Sequence, residues 1–264
     1  MGDVASAEAL PSFTLPPVIE VAVGIHFLQL PGLDTVALVR LADKWRERFP
    51  KVQEHVALPP LGLASFMFQV GNSVPPIRLW ALTADESLLI QVQHDRLLIN
   101  WRKQEGDAPY PRYDVLRSEL STIWSDFERH VEGADFGVLR PSAAEVTFFN
   151  RIALSSAAEV PRVVRALSPD FLLDGHLATR LQMERQLGDN DGPAHGRQTI
   201  SLGFPADDNR LQLEITSLIA IDAELSSLDV LRALDVAHDE GVSMFDNFTT
   251  EGAHIEWGKL GARN

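Results

Sequence analysis

Cysteine is absent from this chain of 264 residues. That removes disulfides, thiolate metal sites, iron–sulfur clusters and cysteine nucleophiles together, and it fits a reducing, cytoplasmic setting. Basic residues are scarce: 23 Lys and Arg stand against 37 Asp and Glu, for a formal net charge of −14. An acidic chain repels phosphate, which argues against nucleic acid as a partner and leaves a protein partner open. No apolar run approaches the roughly 18–20 residues that span a bilayer, so no membrane contact is expected. Also missing are a phosphate-binding loop, a dinucleotide fingerprint and a Gly-x-Ser-x-Gly elbow. The turn "GDNDG" lacks the twelve-residue pattern of a calcium loop. Glu251 and His254 have the i, i+3 spacing of carboxylate-bridged metal sites, but no second Glu-x-x-His accompanies them. No cofactor, no metal and no catalytic signature is therefore read from the sequence.

Hydrophobic residues make up 45% and charged residues 23%, ordinary values for a globular protein with a real core. Acidity is uneven: residues 1–140 carry 13 basic and 18 acidic groups, residues 141–264 carry 10 and 19. Residues 1–16 read as a disordered lead-in. Residues 17–140 then form one α+β half, residues 141–258 a second, and residues 259–264 a tail, with both halves in one compact unit.

In the first half, "PVIEVAVGIHFLQL" alternates with a period of two, as a half-buried strand does. "LDTVALVRLADKWRERFP" has helical spacing and a proline stop. "ASFMFQV", "IRLWALT" and the hairpin "LLIQVQHDRLLINWRK", hinged at His94-Asp95, read as strands. A long helix closes the half, with Tyr113, Leu116, Leu120, Ile123, Trp124 and Phe127 on its apolar stripe. The second half repeats the order. The strand "AAEVTFFNRI" and a short helix in "SAAEVPRVVRAL" precede three alternating strands, "HLATRLQMERQL", "GRQTISLGFP" and "RLQLEITSLIAI". A helix over "SSLDVLRALDVAHDEGVSMFDNFTTE" ends it, with Ser226 or Ser227 as N-cap. The expected fold is thus two pseudo-repeated strand–helix–antiparallel strands–helix halves, with helices packed on one face of the sheet and a polar opposite face. Trp45, Trp80, Trp101 and Trp124 are read as core.

The polar face collects the candidate functional residues Arg96, Asn100, Arg102, Glu145, Thr147, Arg180, Glu184, Arg197 and Glu214. Cross-strand ion pairs of modest value also account for such a mixture of signs.

"PPVIEV", "DRLLINWRK" followed by "YPRY", "LRPSAAEVTFFNRI" and "HIEWG" together resemble a sporadically distributed family of uncharacterised bacterial proteins, from about Pro16 to about Gly258. That resemblance implies one bacterial cytoplasmic unit and brings no catalytic residues. The element order is also similar to the duplicated saddle of TATA-binding proteins, although the acidic charge opposes a DNA-binding role. The expected function is a non-enzymatic binding or regulatory protein acting on another protein, with a homo-oligomer compatible. The alternatives are two. One is an enzyme or small-molecule binder, with Arg102, Arg180 or Arg197 on an anionic ligand and Glu145 or Glu214 as acid or base. The other is nucleic-acid binding through the sheet.

Overall fold

Alternation and helical spacing carry over into the elements of the chain, seen here in a computed structural model that describes residues 10–59, 77–104, 109–134, 136–167, 179–188, 195–204, 208–221 and 230–260. In chain order they are β1 (Ser12–Phe13), β2 (Val18–Phe27), α1 (Thr35–Trp45), β3 (Lys51–Val56), β4 (Ile77–Leu82), β5 (Leu88–Gln93), β6 (Arg96–Arg102) and α2 (Tyr113–Ala134). Then follow β7 (Pro141–Ala153), α3 (Val160–Val163), β8 (Thr179–Leu187), β9 (Gly196–Phe204), β10 (Arg210–Ala220), α4 (Val230–Phe248), α5 (Glu251–Glu256) and β11 (Lys259–Leu260). The fold is α+β with a largely antiparallel sheet. Its strands are hydrogen-bonded in the order β3-β4-β5-β6-β2-β7-β10-β9-β8, and β1 pairs separately with β11. The expected strand "ASFMFQV", the Ser226 or Ser227 cap and most of the turn "GDNDG" lie outside the described residues.

The contacts divide the chain into two units. One comprises Glu20–Val146 with Leu218–Leu234; the other comprises Met1–Ile19, Thr147–Ser217 and Asp235–Asn264. In the first, Val23 and Ile25 of β2 face Ile99 and Leu97 of β6, which in turn face Ile90 and Val92 of β5. All six are essentially excluded from water. Helix α2 lies against β6 and α1 against β4. Phe27 meets Trp124 and Phe127 of α2 at ring distances of 6.1 and 5.2 Å. Asp34 caps α1, its carboxylate accepting from the Ala37 N–H at 2.9 Å. Strand β3, missing from the sequence reading, is an exposed edge that pairs with β4 from Lys51–Leu82 to Val56–Ile77.

The second unit has a core of Ile200, Leu202, Leu211, Leu213, Ile215, Phe245, Phe248 and Trp257, among others. Where a lead-in and a tail are expected, Phe13 is buried, edge-on to Phe245 at 5.4 Å, and Ser12 and Phe13 pair with Leu260 and Lys259. Burying that one ring holds a two-residue strand that has too few residues to show a period. The single closing helix expected from the spacing is instead broken after Phe248. Thr250 adopts an extended conformation and caps α5, accepting from the Ala253 N–H, which starts a new helix.

Candidate functional site

Register and alternation set a group of polar residues on one side of the first unit's strands, opposite Leu79, Val92, Ile99 and Val23: Arg78 and Trp80 of β4, Gln91 and Gln93 of β5, Arg96, Asn100 and Arg102 of β6, and Glu20 and His26 of β2. Four of these strands are joined by a relay of side-chain hydrogen bonds. Asn100 donates from Nδ2 to Glu20 Oε1 at 2.6 Å, and Gln91 donates from Nε2 to Asn100 Oδ1 at 2.7 Å. Gln91 Oε1 accepts from Trp80 Nε1 at 3.0 Å and from Arg78 Nη1 at 2.9 Å. A carboxylate only accepts, so Glu20 sets the orientation of the Asn100 amide, and Asn100 sets that of Gln91. Gln91 is 7% exposed and Asn100 2%, so this satisfied relay holds its members rigidly.

The outer end of the relay is a corner built on Trp80, which is half-buried where core packing was expected. Arg78 and Arg102 place their guanidinium carbons 5.2 and 5.5 Å from its ring centroid. The His55 ring, from β3, lies 4.0 Å away. Arg102 Nε stands 3.5 Å from Glu20 Oε2. Arg78 differs: it donates to the neutral Gln91, and its Nε is buried with no hydrogen-bond partner among the described residues. Burial lowers the pKa of Arg78, and the charge of Arg96 lowers it further. Burial also holds His55 below the usual imidazole value, with the charges of Arg78 and Arg102 adding to the effect. The corner is locally cationic in an acidic chain.

Alternation placed Arg96 and Asn100 on a polar surface; both are buried. Arg96 is satisfied structurally, donating to Asp95 Oδ1 from Nε at 3.0 Å and to the Pro59 carbonyl from Nη2 at 2.7 Å. Burial pushes the Asp95 pKa up, but the Arg96 hydrogen bond and charge, with the Gln93 amide, outweigh it and leave the carboxyl below its usual value. His26 Nε2 and Glu145 Oε2 meet at 2.6 Å, with Glu145 partly exposed.

The other candidates belong to the second unit. Thr147 is buried, its hydroxyl 3.0 Å from that of Thr216, which donates to Glu214 at 3.4 Å. Arg180 and Glu184 are exposed on β8, and Glu184 meets Arg197 of β9 at 3.6 Å. That is the modest cross-strand pairing expected of a solvated sheet face. The nine candidates are thus divided between the two units. Arg78, Trp80, Gln91, Glu20 and His55 complete the arrangement around Arg102 and Asn100. Arg78 and Trp80 were legible as an i, i+2 pair in "IRLWALT".

Among the described residues, no cluster of His, Asp and Glu is placed to hold a metal ion, and no helix is long and apolar enough to cross a membrane. Comparison of the chain with protein-family models, with curated proteins and with solved structures finds no match.

Proposed function

We propose that the chain is a non-enzymatic binding or regulatory protein that engages a protein partner at the corner formed by Arg78, Trp80 and Arg102, where the polar side of β4 and β6 reaches solvent. The observation that carries this reading is the relay from Glu20 through Asn100 and Gln91, which fixes Trp80 and Arg78 while leaving Trp80 half-exposed. Tryptophan and arginine held rigid in this way lose little entropy on binding and are the residue types that dominate interface energetics.

The same reading takes the sheet as two related halves, with helices on the apolar side. In its support, the first and last strands of each run are neighbours, β2 with β6 and β7 with β10.

The test is capture of a partner by the immobilised full-length chain. Trp80→Ala and Arg102→Ala should lose it, while Arg180→Ala and Arg197→Glu, in the other unit, should retain it. Equal recovery by all four variants, with folding checked by circular dichroism, overturns the proposal.

A further inference from the structure

Arg78 has no carboxylate within ion-pair reach among the described residues, and its Nε is buried and unpaired. A guanidinium has five donors in a rigid planar fork, and a partly desolvated one without a counter-ion is costly until an anion meets it. Arg102 supplies a second guanidinium at the same indole, held only loosely by Glu20 at 3.5 Å. The Trp80 N–H is already engaged by Gln91, so the indole offers a ligand its ring and not its donor. We infer that Arg78, with Arg102 and Trp80, is a recognition site for a carboxylate that the partner presents, an acidic side chain or a chain end.

Carboxylate is preferred over phosphate for two reasons. Its planar pair of oxygens matches the planar fork of Arg78. And Glu20 and Glu86 act on Arg102, so a phosphate, with up to two charges on one group, meets more repulsion there than a carboxylate group with one. This inference rests on the function proposed above and names the chemistry of its contact.

The probe is succinate, titrated into the full-length protein and followed by tryptophan fluorescence and by melting temperature, with sodium chloride at matched ionic strength as control and inorganic phosphate as a second arm. A saturable response to succinate at about millimolar concentration is expected, with weaker binding of phosphate. Arg78→Gln should weaken succinate about tenfold or more, the loss of a charge-assisted hydrogen bond. Trp80→Phe should abolish the optical response and keep the thermal one. Arg78→Lys keeps the charge without the fork and should bind more weakly than the parent; it decides the matter if Arg78→Gln does not fold. A response no larger than that to chloride, tighter binding of phosphate, or full-strength binding by Arg78→Lys overturns the inference. If succinate fails while partner capture still depends on Trp80 and Arg102, the binding role stands and the carboxylate assignment falls.

Discussion

Asn100 donates to Glu20 across the β6–β2 pair, 2.6 Å from amide nitrogen to carboxylate oxygen, with Asn100 itself almost excluded from water and Glu20 partly exposed. Removing it leaves a buried Gln91 donor and a carboxylate without their partner. Asn100→Ala should lower stability by about 1–3 kcal/mol, read as a shift in urea midpoint. Asn100→Asp sets a second carboxylate against Glu20, so the new group is protonated in the fold and its folded pKa lies above its unfolded one. Its stability relative to Asn100→Ala should then be highest near about pH 4 and fall as pH rises. Parallel pH profiles for the two variants would show that the carboxylates do not meet.

Gly24 is required by close approach. A Cβ there would lie 2.6 Å from Leu98 Cγ and 2.7 Å from the Leu97 carbonyl oxygen, and the backbone atom cannot retreat without breaking the ladder. Gly24→Ala should cost about 1–3 kcal/mol or more. Gly133, near the end of α2, has nothing within 4 Å of such a Cβ, and Gly133→Ala should stabilise by up to about 1 kcal/mol. Denaturant midpoints that move in the same direction for both would refute this.

His254 is buried, with Nε2 2.8 Å from the Thr249 hydroxyl and Nδ1 3.5 Å from Asp246. Burial lowers its pKa; Lys259 and Arg165 push the same way, while Asp246 and Glu251 oppose them. The fold therefore favours the neutral ring. The stability this gives is complete above the unfolded value of about 6.5 and is lost as pH falls through the depressed folded pKa. Melting temperature should decline between about pH 7.5 and pH 5, and His254→Gln should flatten the decline. His55 and His130, also lowered by burial, leave a residual slope of the same sign.

Phe13 packs edge-on against Phe245 and His254, each at 5.4 Å, and against Trp257 at 6.3 Å. Phe13→Ala should cost about 3–5 kcal/mol, and calorimetry should show the loss as a lowered melting temperature. A change of under about 0.5 kcal/mol, the size of an ordinary surface substitution, would mean that the β1–β11 pair is not part of the folded core.

The strands and long helices were legible because period two and period 3.6 are imposed by one buried face. The apolar side of β6, Leu97, Ile99 and Trp101, is buried as its spacing required. Alternation names the two sides of a strand but not what covers each, so Arg96 and Asn100 were assigned to a surface and are interior. Strand β3 is not legible in the sequence because Val52 and Val56 are exposed on an edge and "KVQEHV" has no buried side to set a period. Two-residue strands have no period at all. The cationic corner has no signature in the sequence for another reason: Arg78, Trp80, Arg102 and His55 come from three strands, and only the register β3-β4-β5-β6 brings them together.

Ser12 stands opposite Leu260 in the β1–β11 ladder, so two residues far apart in the sequence are neighbours. A linker of a few residues can therefore join them, and new termini can be opened in the exposed turn at Ala84–Asp85. A circular permutant built this way keeps every described strand whole while opening the chain in the β4–β5 turn.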